Sequence, residues 1–94
     1  MENNAEKTII TVVGKDTVGI IAKVCTYLAD SKVNVLDISQ TIVSGYFNMM
    51  MVVNAEDASK DHDCIAEELN KIGEELGVQI KAQKEDIFDM MHRI

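Results

Sequence analysis

The sequence has no proline, a single arginine (Arg93), two cysteines, and only two tyrosines and two phenylalanines. Each scarcity removes a class of function. With 16 acidic against 9 basic residues and a net charge of −7, no basic face exists to track a phosphate backbone, so nucleic acid is not an expected partner, nor is an anionic membrane surface. RNA binding on a sheet also needs exposed aromatics beside basic residues, whereas Tyr46 and Phe47 fall on opposite faces of their strand. No apolar run approaches the ~20 residues of a spanning helix. Residues 1–6 hold two acids and no apolar segment, so a cytoplasmic protein without a leader is expected. Cys25 and Cys64 belong to two separate helical patterns, which predicts reduced, buried thiols rather than a bridge. The missing proline fits a chain with few irregular excursions.

Chemistry-bearing constellations are equally sparse. His62 and His92 have no Cys, His or acid at a metal-ligand spacing, so both read as surface histidines and no metal is expected. Consecutive residues of a strand alternate between faces, so Met49, Met50 and Met51 cannot converge on one ion and read as packing. Ser39, Ser44 and Ser59 have no histidine placed to activate them. Glu67, Glu68, Glu74 and Glu75 form a solvated helix face. An acylphosphatase-like hydrolase would need its arginine in the first turn, and Arg93 is far from it. Neither a catalytic residue nor a cofactor is expected.

What the chain does have is one domain, 1–94, with a core over about 7–85 and an amphipathic tail over 86–94. At this size a monomer is only marginally stable and a partner subunit helps. Residues 7–13 are β-branched almost throughout, as a central strand requires. Ile20, Ile21, Val24, Cys25 and Leu28 follow at helical spacing to about Ser31. In residues 33–43, Leu36, Ile38 and Ile42 are assigned to one face and Asp37, Ser39 and Thr41 to the other. Ser44-Gly45 predicts a tight hairpin. The next strand, 46–54, sets Phe47, Met49, Met51 and Val53 against Tyr46, Met50 and Val52. Asp57 or Ser59 is the expected cap of a second helix with the stripe Ile65, Leu69, Ile72 and Leu76, ended by Gly77. Val78, Ile80 and Ala82 then alternate with polar residues, and a short helix is expected from about Asp86. The order βαββαβ predicts an α+β, ferredoxin-like sandwich: a four-stranded antiparallel sheet with both helices on one face.

The stretch around which the rest is organised is Gly14-Lys15-Asp16-Thr17-Val18-Gly19, where the first strand hands over to the first helix. The first amides of a helix have no partner within it and attract anions. Asp16 or Thr17 is expected to cap that helix, while Gly14 and Gly19 allow a sharp turn and a close approach. A lone pair of glycines, with neither the Lys-Ser/Thr of a P-loop nor a third glycine, does not make a nucleotide site. The second strand could bring Asn34 beside the turn. Helix-start N–H donors, the Asp16 carboxylate and the Asn34 amide would together suit a zwitterion, donors meeting its carboxylate and acceptors its ammonium.

Residues 14–24, followed by Leu28 and Val33-Asn34-Val35, resemble the opening of an ACT domain, whose usual form is Gly-x-Asp-Arg-Pro-Gly, then aliphatics, a Leu, and an Asn-Ile or similar at the second strand. The ending Glu85-Asp86-Ile87-Phe88-Asp89-Met90-Met91-His92-Arg93-Ile94 further resembles short stand-alone ACT proteins of bacteria and archaea, similar to the ACT repeats of the glycine-cleavage repressor. The resemblance implies a ferredoxin-like domain that binds a small effector, commonly an amino acid, at the βα turn and at an interface between two domains. It therefore implies a homodimer with a regulatory, non-enzymatic role. Carried over by position, Asp16, Gly19 and Asn34 match the family's ligand contacts, and the candidate ligand set is Asp16, Thr17, Val18, Gly19, Ile20, Asn34 and Val35. Thr17-Val18 stands where Arg-Pro is frequent, which removes a rigid φ and a charge partner, so effector identity does not transfer. A pure protein–protein interaction module is the alternative.

Overall fold

A computed structural model describes residues 7–15 and 19–85. Its elements are β1 (Lys7–Lys15), α1 (Ile20–Asp30), β2 (Asn34–Val43), β3 (Tyr46–Asn54), α2 (His62–Leu76) and β4 (Val78–Lys84). The strands form one sheet in the order β2-β3-β1-β4, every neighbouring pair antiparallel. This is the ferredoxin-like arrangement read from the sequence. The helix expected from about Asp86 lies outside the described residues, as do Asp16, Thr17 and Val18.

Register assigns the faces. Ile10 pairs with Met51 and Ala82, and Val12 with Met49 and Ile80, so these side chains share one face. The same face carries Val53 and Phe47, and all but the half-buried Ala82 are buried. Ile20, Val24 and Leu28 of α1 and Ile65 and Leu69 of α2 complete a single apolar cluster with them. Both helices therefore lie on that face. Period 3.6 on the helices meets period 2 on the strands, and each fully buried aliphatic contributes roughly 1.5–3 kcal/mol.

Several local expectations are corrected. Gly14 does not make the turn: β1 runs through it to Lys15, and a Cβ there would sit 2.7 Å from Cγ1 of Val78. Its glycine serves packing across the strand pair. α1 is capped by neither Asp16 nor Thr17, because Gly19 is the N-cap residue. α2 is capped by Asp61 instead of Asp57 or Ser59, its carboxylate accepting from the Cys64 N–H at 2.9 Å. Cys25 and Cys64 are free but only half-buried. In β2 the register shifts between Val35 and Asp37, so Leu36 is an extra residue. The bulge puts Val35 with Ile38 and Ile42 on the helix-side face, opposite Val53, Met51 and Phe47. Expected features that hold include the two-residue loop Ser44-Gly45, both residues at positive φ, and the left-handed cap at Gly77.

Gly73 lets α2 press onto β4. A Cβ there would lie 2.7 Å from the Val78 carbonyl oxygen, a backbone atom that cannot rotate away. Gly73→Ala gains about 1 kcal/mol of helix propensity, but overpacking costs about 1–3 kcal/mol. A net loss is expected, read as a lower thermal midpoint at unchanged helix content by circular dichroism; a raised midpoint would show that α2 can lift off the sheet freely.

Candidate functional site

β1 ends at Lys15 and α1 starts at Ile20, at one end of the sheet. Gly19 holds φ +90°, a conformation that favours glycine, and a Cβ added to it would meet nothing within 4 Å among the described residues. The first intrahelical bond runs from the Lys23 N–H to the Gly19 carbonyl at 2.9 Å. The amides of Ile20, Ile21 and Ala22 thus precede the helical ladder, and Gly19 brings no side-chain oxygen to them. Ile20 itself is 2% exposed, so it contributes its N–H and its packing beneath the junction. Gly19 also borders a groove of about 500 Å³ between α1 and α2, with Ala22, Lys23, Asp30 and Ile72 on its walls.

Asn34 and Val35 lie elsewhere. Lys15, at the end of β1 nearest Gly19, pairs with Tyr46, which pairs with Val43; Asn34 pairs with Asn54, which pairs with Lys7. The two strands run parallel, so Asn34 begins β2 at the far end of the sheet, separated from Gly19 by the 11 residues of α1, roughly 16 Å of helix. The expectation that Asn34 stands beside the turn is corrected for a single chain. A crossover helix carries the chain back across the sheet before the next parallel strand can start.

β2 is an edge strand whose ten residues are all exposed. Val35, Leu36, Ile38, Ile42 and Val43 are among them, at 37–58% exposure, with Ile21 of α1 at 37%. The helices bury the helix-side residues of β1, β3 and β4 and leave those of β2 uncovered. The alternation in residues 33–43 shows a half-apolar strand; it cannot show that the apolar half lacks a cover.

The shifted titrations are not at the junction, and Glu68, read from the sequence as part of a solvated helix face, is half-buried at their centre. Tyr27 on α1 donates its hydroxyl to Glu68 Oε1 at 2.6 Å, Lys60 Nζ lies 2.6 Å from the same oxygen, and that ammonium sits 5.1 Å from the Tyr27 ring centroid. Burial, then the bond to Glu68, pushes the Tyr27 hydroxyl up to about 12. Lys60 first and Tyr27 second hold the Glu68 carboxyl below its ordinary range, and Glu68 in turn raises Lys60. The three residues join α1, α2 and the loop before α2. Among the described residues no cluster of His, Cys, Asp and Glu could hold a metal ion, and no helix is long and apolar enough to cross a membrane.

Sequence similarity decides the family. The model described as "ACT domain" matches residues 6–83. The chain belongs to the ACT domain family. A UPF0237 protein of Bifidobacterium longum is 60% identical over 88 residues, covering 94% of this chain and 98% of the relative. An ACT domain protein from Streptococcus pneumoniae superposes with a TM-score of 0.79 at 44% identity, over 92% of this chain and 97% of that one. A structure titled a putative glycine cleavage system transcriptional repressor shares the fold at 19% identity and a TM-score of 0.72, over 87% of this chain and 47% of its own. This ACT chain thus matches short relatives along nearly their whole length.

The Tyr27–Glu68–Lys60 clasp sets a pH dependence. Glu68 titrates lower folded than unfolded, so its contribution is present above an unfolded value of about 4.3 and is lost as pH falls through the folded one. Lys60, raised on folding, contributes below about 10.4 and loses its share as pH rises through the folded value. Glu68→Gln is expected to flatten the acid limb of the midpoint-against-pH curve; parallel curves for parent and variant would exclude the clasp as its source.

Proposed function

We propose that this ACT protein is a regulatory sensor of a small zwitterion, an amino acid being the favoured class, and that it binds its effector between two subunits. The observation that carries the reading is the uncovered apolar edge strand β2. A strand with unpaired N–H and C=O groups and apolar side chains is a template for another strand. A second copy related by a two-fold axis pairs β2 antiparallel with β2, giving an isologous contact. Such pairing sets the first residue of one strand near the last of the other, so Asn34 of the partner subunit comes to the end where Val43 lies and where α1 begins. The two halves that one chain holds roughly 16 Å apart would then face each other.

Roles follow from chemistry. The amides at the start of α1, with Gly19 leaving room in front of them, suit the effector's carboxylate. Asp16 is assigned to its ammonium, and Asn34 and Val35 of the partner subunit bridge and cover it. Thr17 and Val18 are assigned to the wall on the first subunit, and Ile20 to the packing beneath it. The reading is one of binding without turnover.

Thermal unfolding measured against the twenty amino acids tests this, since a ligand at a hundred times its dissociation constant adds about 2.7 kcal/mol. One or a few are expected to raise the midpoint, and Asn34→Ala to remove the rise without lowering the ligand-free midpoint. Ile38→Glu is expected to yield a monomer by sedimentation and to abolish the response with it. No shift with any amino acid at millimolar concentration would turn the reading toward an interaction module without a ligand. A dimer that survives Ile38→Glu and Ile42→Glu would place the subunit contact elsewhere.

A further inference from the structure

At the end of the sheet opposite Gly19, a cavity of about 560 Å³ is bordered by Thr8 of β1, Lys84 of β4, the loop after β3 and the first turn of α2. Thr8 stands seven strand steps from Lys15, roughly 23 Å, so this cavity is remote from the junction. On the helix-side face that Thr8 shares with Ile10 and Val12, it is the one hydroxyl, and it is 4% exposed. Among the described residues, Oγ of Ser31 is the fully enclosed side-chain oxygen without a partner. The Thr8 hydroxyl has no partner there either, yet it is not enclosed. It opens onto the cavity that the residue lines. A hydroxyl held this deep without a partner is destabilising, and valine would fill the same place without that penalty.

Other donors around the cavity are equally unspent. The Asp61 side chain takes the Cys64 N–H, and the helical ladder starts with Ile65 N–H on the Asp61 carbonyl at 3.0 Å. The amides of His62 and Asp63 therefore donate to nothing among the described residues. Lys84 is the cross-strand partner of Thr8 and has no carboxylate partner among the described residues. Lys60 is different: its ammonium is held by Glu68 over the Tyr27 ring. Of the bordering carboxylates, Asp61 is spent on the cap, while Glu56 and Asp63 stay exposed. The loop that carries Glu56 is pinned, Glu56 N–H donating to Asn54 Oδ1 at 2.8 Å and Ser59 N–H to the Ser31 carbonyl at 3.0 Å. Thr8 lies between β3 and β4, which are about 10 Å apart across β1. Glu56, two residues past β3, and Lys84, at the end of β4, thus flank it on opposite sides.

We propose that this cavity is a second binding site, for a dipolar molecule whose ammonium and carboxylate are separated by several bonds, as in an ω-amino acid or a dipeptide. The carboxylate is met by the α2 amides, Lys84 and the Thr8 hydroxyl, and the ammonium by Glu56. A simple anion would face Glu56 and Asp63 with nothing to offer them, and a simple cation would face Lys84 and the positive end of α2. An α-amino acid carries both charges on one carbon and reaches only one side. The volume lies in the range of about 300–1,000 Å³ common to small-ligand sites. No described residue of β2 lines the cavity, so pairing of subunits along that edge leaves it open, and the site stands whether or not the junction binds an effector.

Amide nuclear magnetic resonance spectra of the full nitrogen-15-labelled chain, titrated separately with 5-aminovalerate, glycylglycine, glycine, acetate and inorganic phosphate, test the site. At least one of the first two is expected to shift the Thr8, His62 and Asp63 amides saturably, with glycine, acetate and phosphate about tenfold weaker; which of the two binds more tightly separates the ω-amino acid from the peptide. No saturable shift at these amides with either, or shifts confined to Gly19 through Ala22, would overturn the proposal. Acetate or phosphate saturating as readily would reduce the cavity to an anion site and overturn the dipolar class. Thr8→Val and Lys84→Gln are each expected to weaken the response about tenfold, Thr8→Val without lowering the ligand-free thermal midpoint, whereas Asn34→Ala leaves it unchanged. Parent-like affinity in both cavity variants would place the ligand elsewhere; if Thr8→Val fails to fold, the exposed Lys84→Gln decides.

Discussion

β1 is bonded on both sides, to β3 and to β4, and its register fixes every other position in the molecule. Because side chains alternate, a slip of one residue would send Ile10 and Val12 to the open face and bring Ile9, Thr11 and Val13 under the helices. The helix layer accepts only the observed register: Ile10 and Val12, each fully buried, meet Met49, Met51 and Ile80 in one cluster. Gly14 extends that row by accommodating Val78 where a methyl group would collide. Once β1 is placed, α1 must start where β1 stops, and β2, its parallel counterpart two positions across, must start at the other end.

That placement decides what one chain can and cannot do alone. Two helices over four strands leave one edge short of cover, and the shortfall falls on β2 because α1 and α2 bury the side chains of β1, β3 and β4. Valine, leucine and isoleucine left more than a third exposed forgo part of the roughly 1.5–3 kcal/mol that each would return if buried. In a domain whose whole stability is of order 5–15 kcal/mol, several such residues along one strand amount to a standing demand for a partner surface. The fold's economy and the proposed site therefore point to the same edge.

Most of this architecture is legible in the residues themselves. The β-branched run of β1, the alternating Phe47, Met49, Met51 and Val53, the Ser44-Gly45 loop and the Gly77 cap each have one cheap conformation, and each adopts it. What is not legible depends on the third dimension. Gly14 reads as a turn residue until Val78 is set beside it, and Leu36 reads as part of a regular alternation until its neighbours are paired with β3. Asp57, Ser59 and Asp61 all carry a side-chain oxygen able to cap, and in the fold it is Asp61 that accepts from the Cys64 N–H. The separation of Asn34 from Gly19 follows from topology: 15 residues apart in sequence, they are kept apart by the helix between them.

Charge narrows the kind of molecule that such a junction can favour. The chain carries −7 overall, and a carboxylate near α1 would be met first by backbone amides, because Lys23 on the groove wall lies 3.8 Å from the Glu75 carboxylate. Backbone donors recognise an anion at contact, but they do not draw it in against a negative field that extends about 8 Å at physiological ionic strength. A free anion would feel that repulsion on approach. A zwitterion carries no net charge to repel, and its ammonium is attracted by the same acidic surface that opposes its carboxylate. The two ends then sort themselves locally, carboxylate toward the helix start and ammonium toward an acid or amide. On the proposed reading, an acidic domain that meets its ligand at a helix N-terminus would favour a neutral dipolar molecule over a phosphate-like one. That ordering matches a βα junction lacking both a third glycine and a neighbouring Lys-Ser/Thr pair.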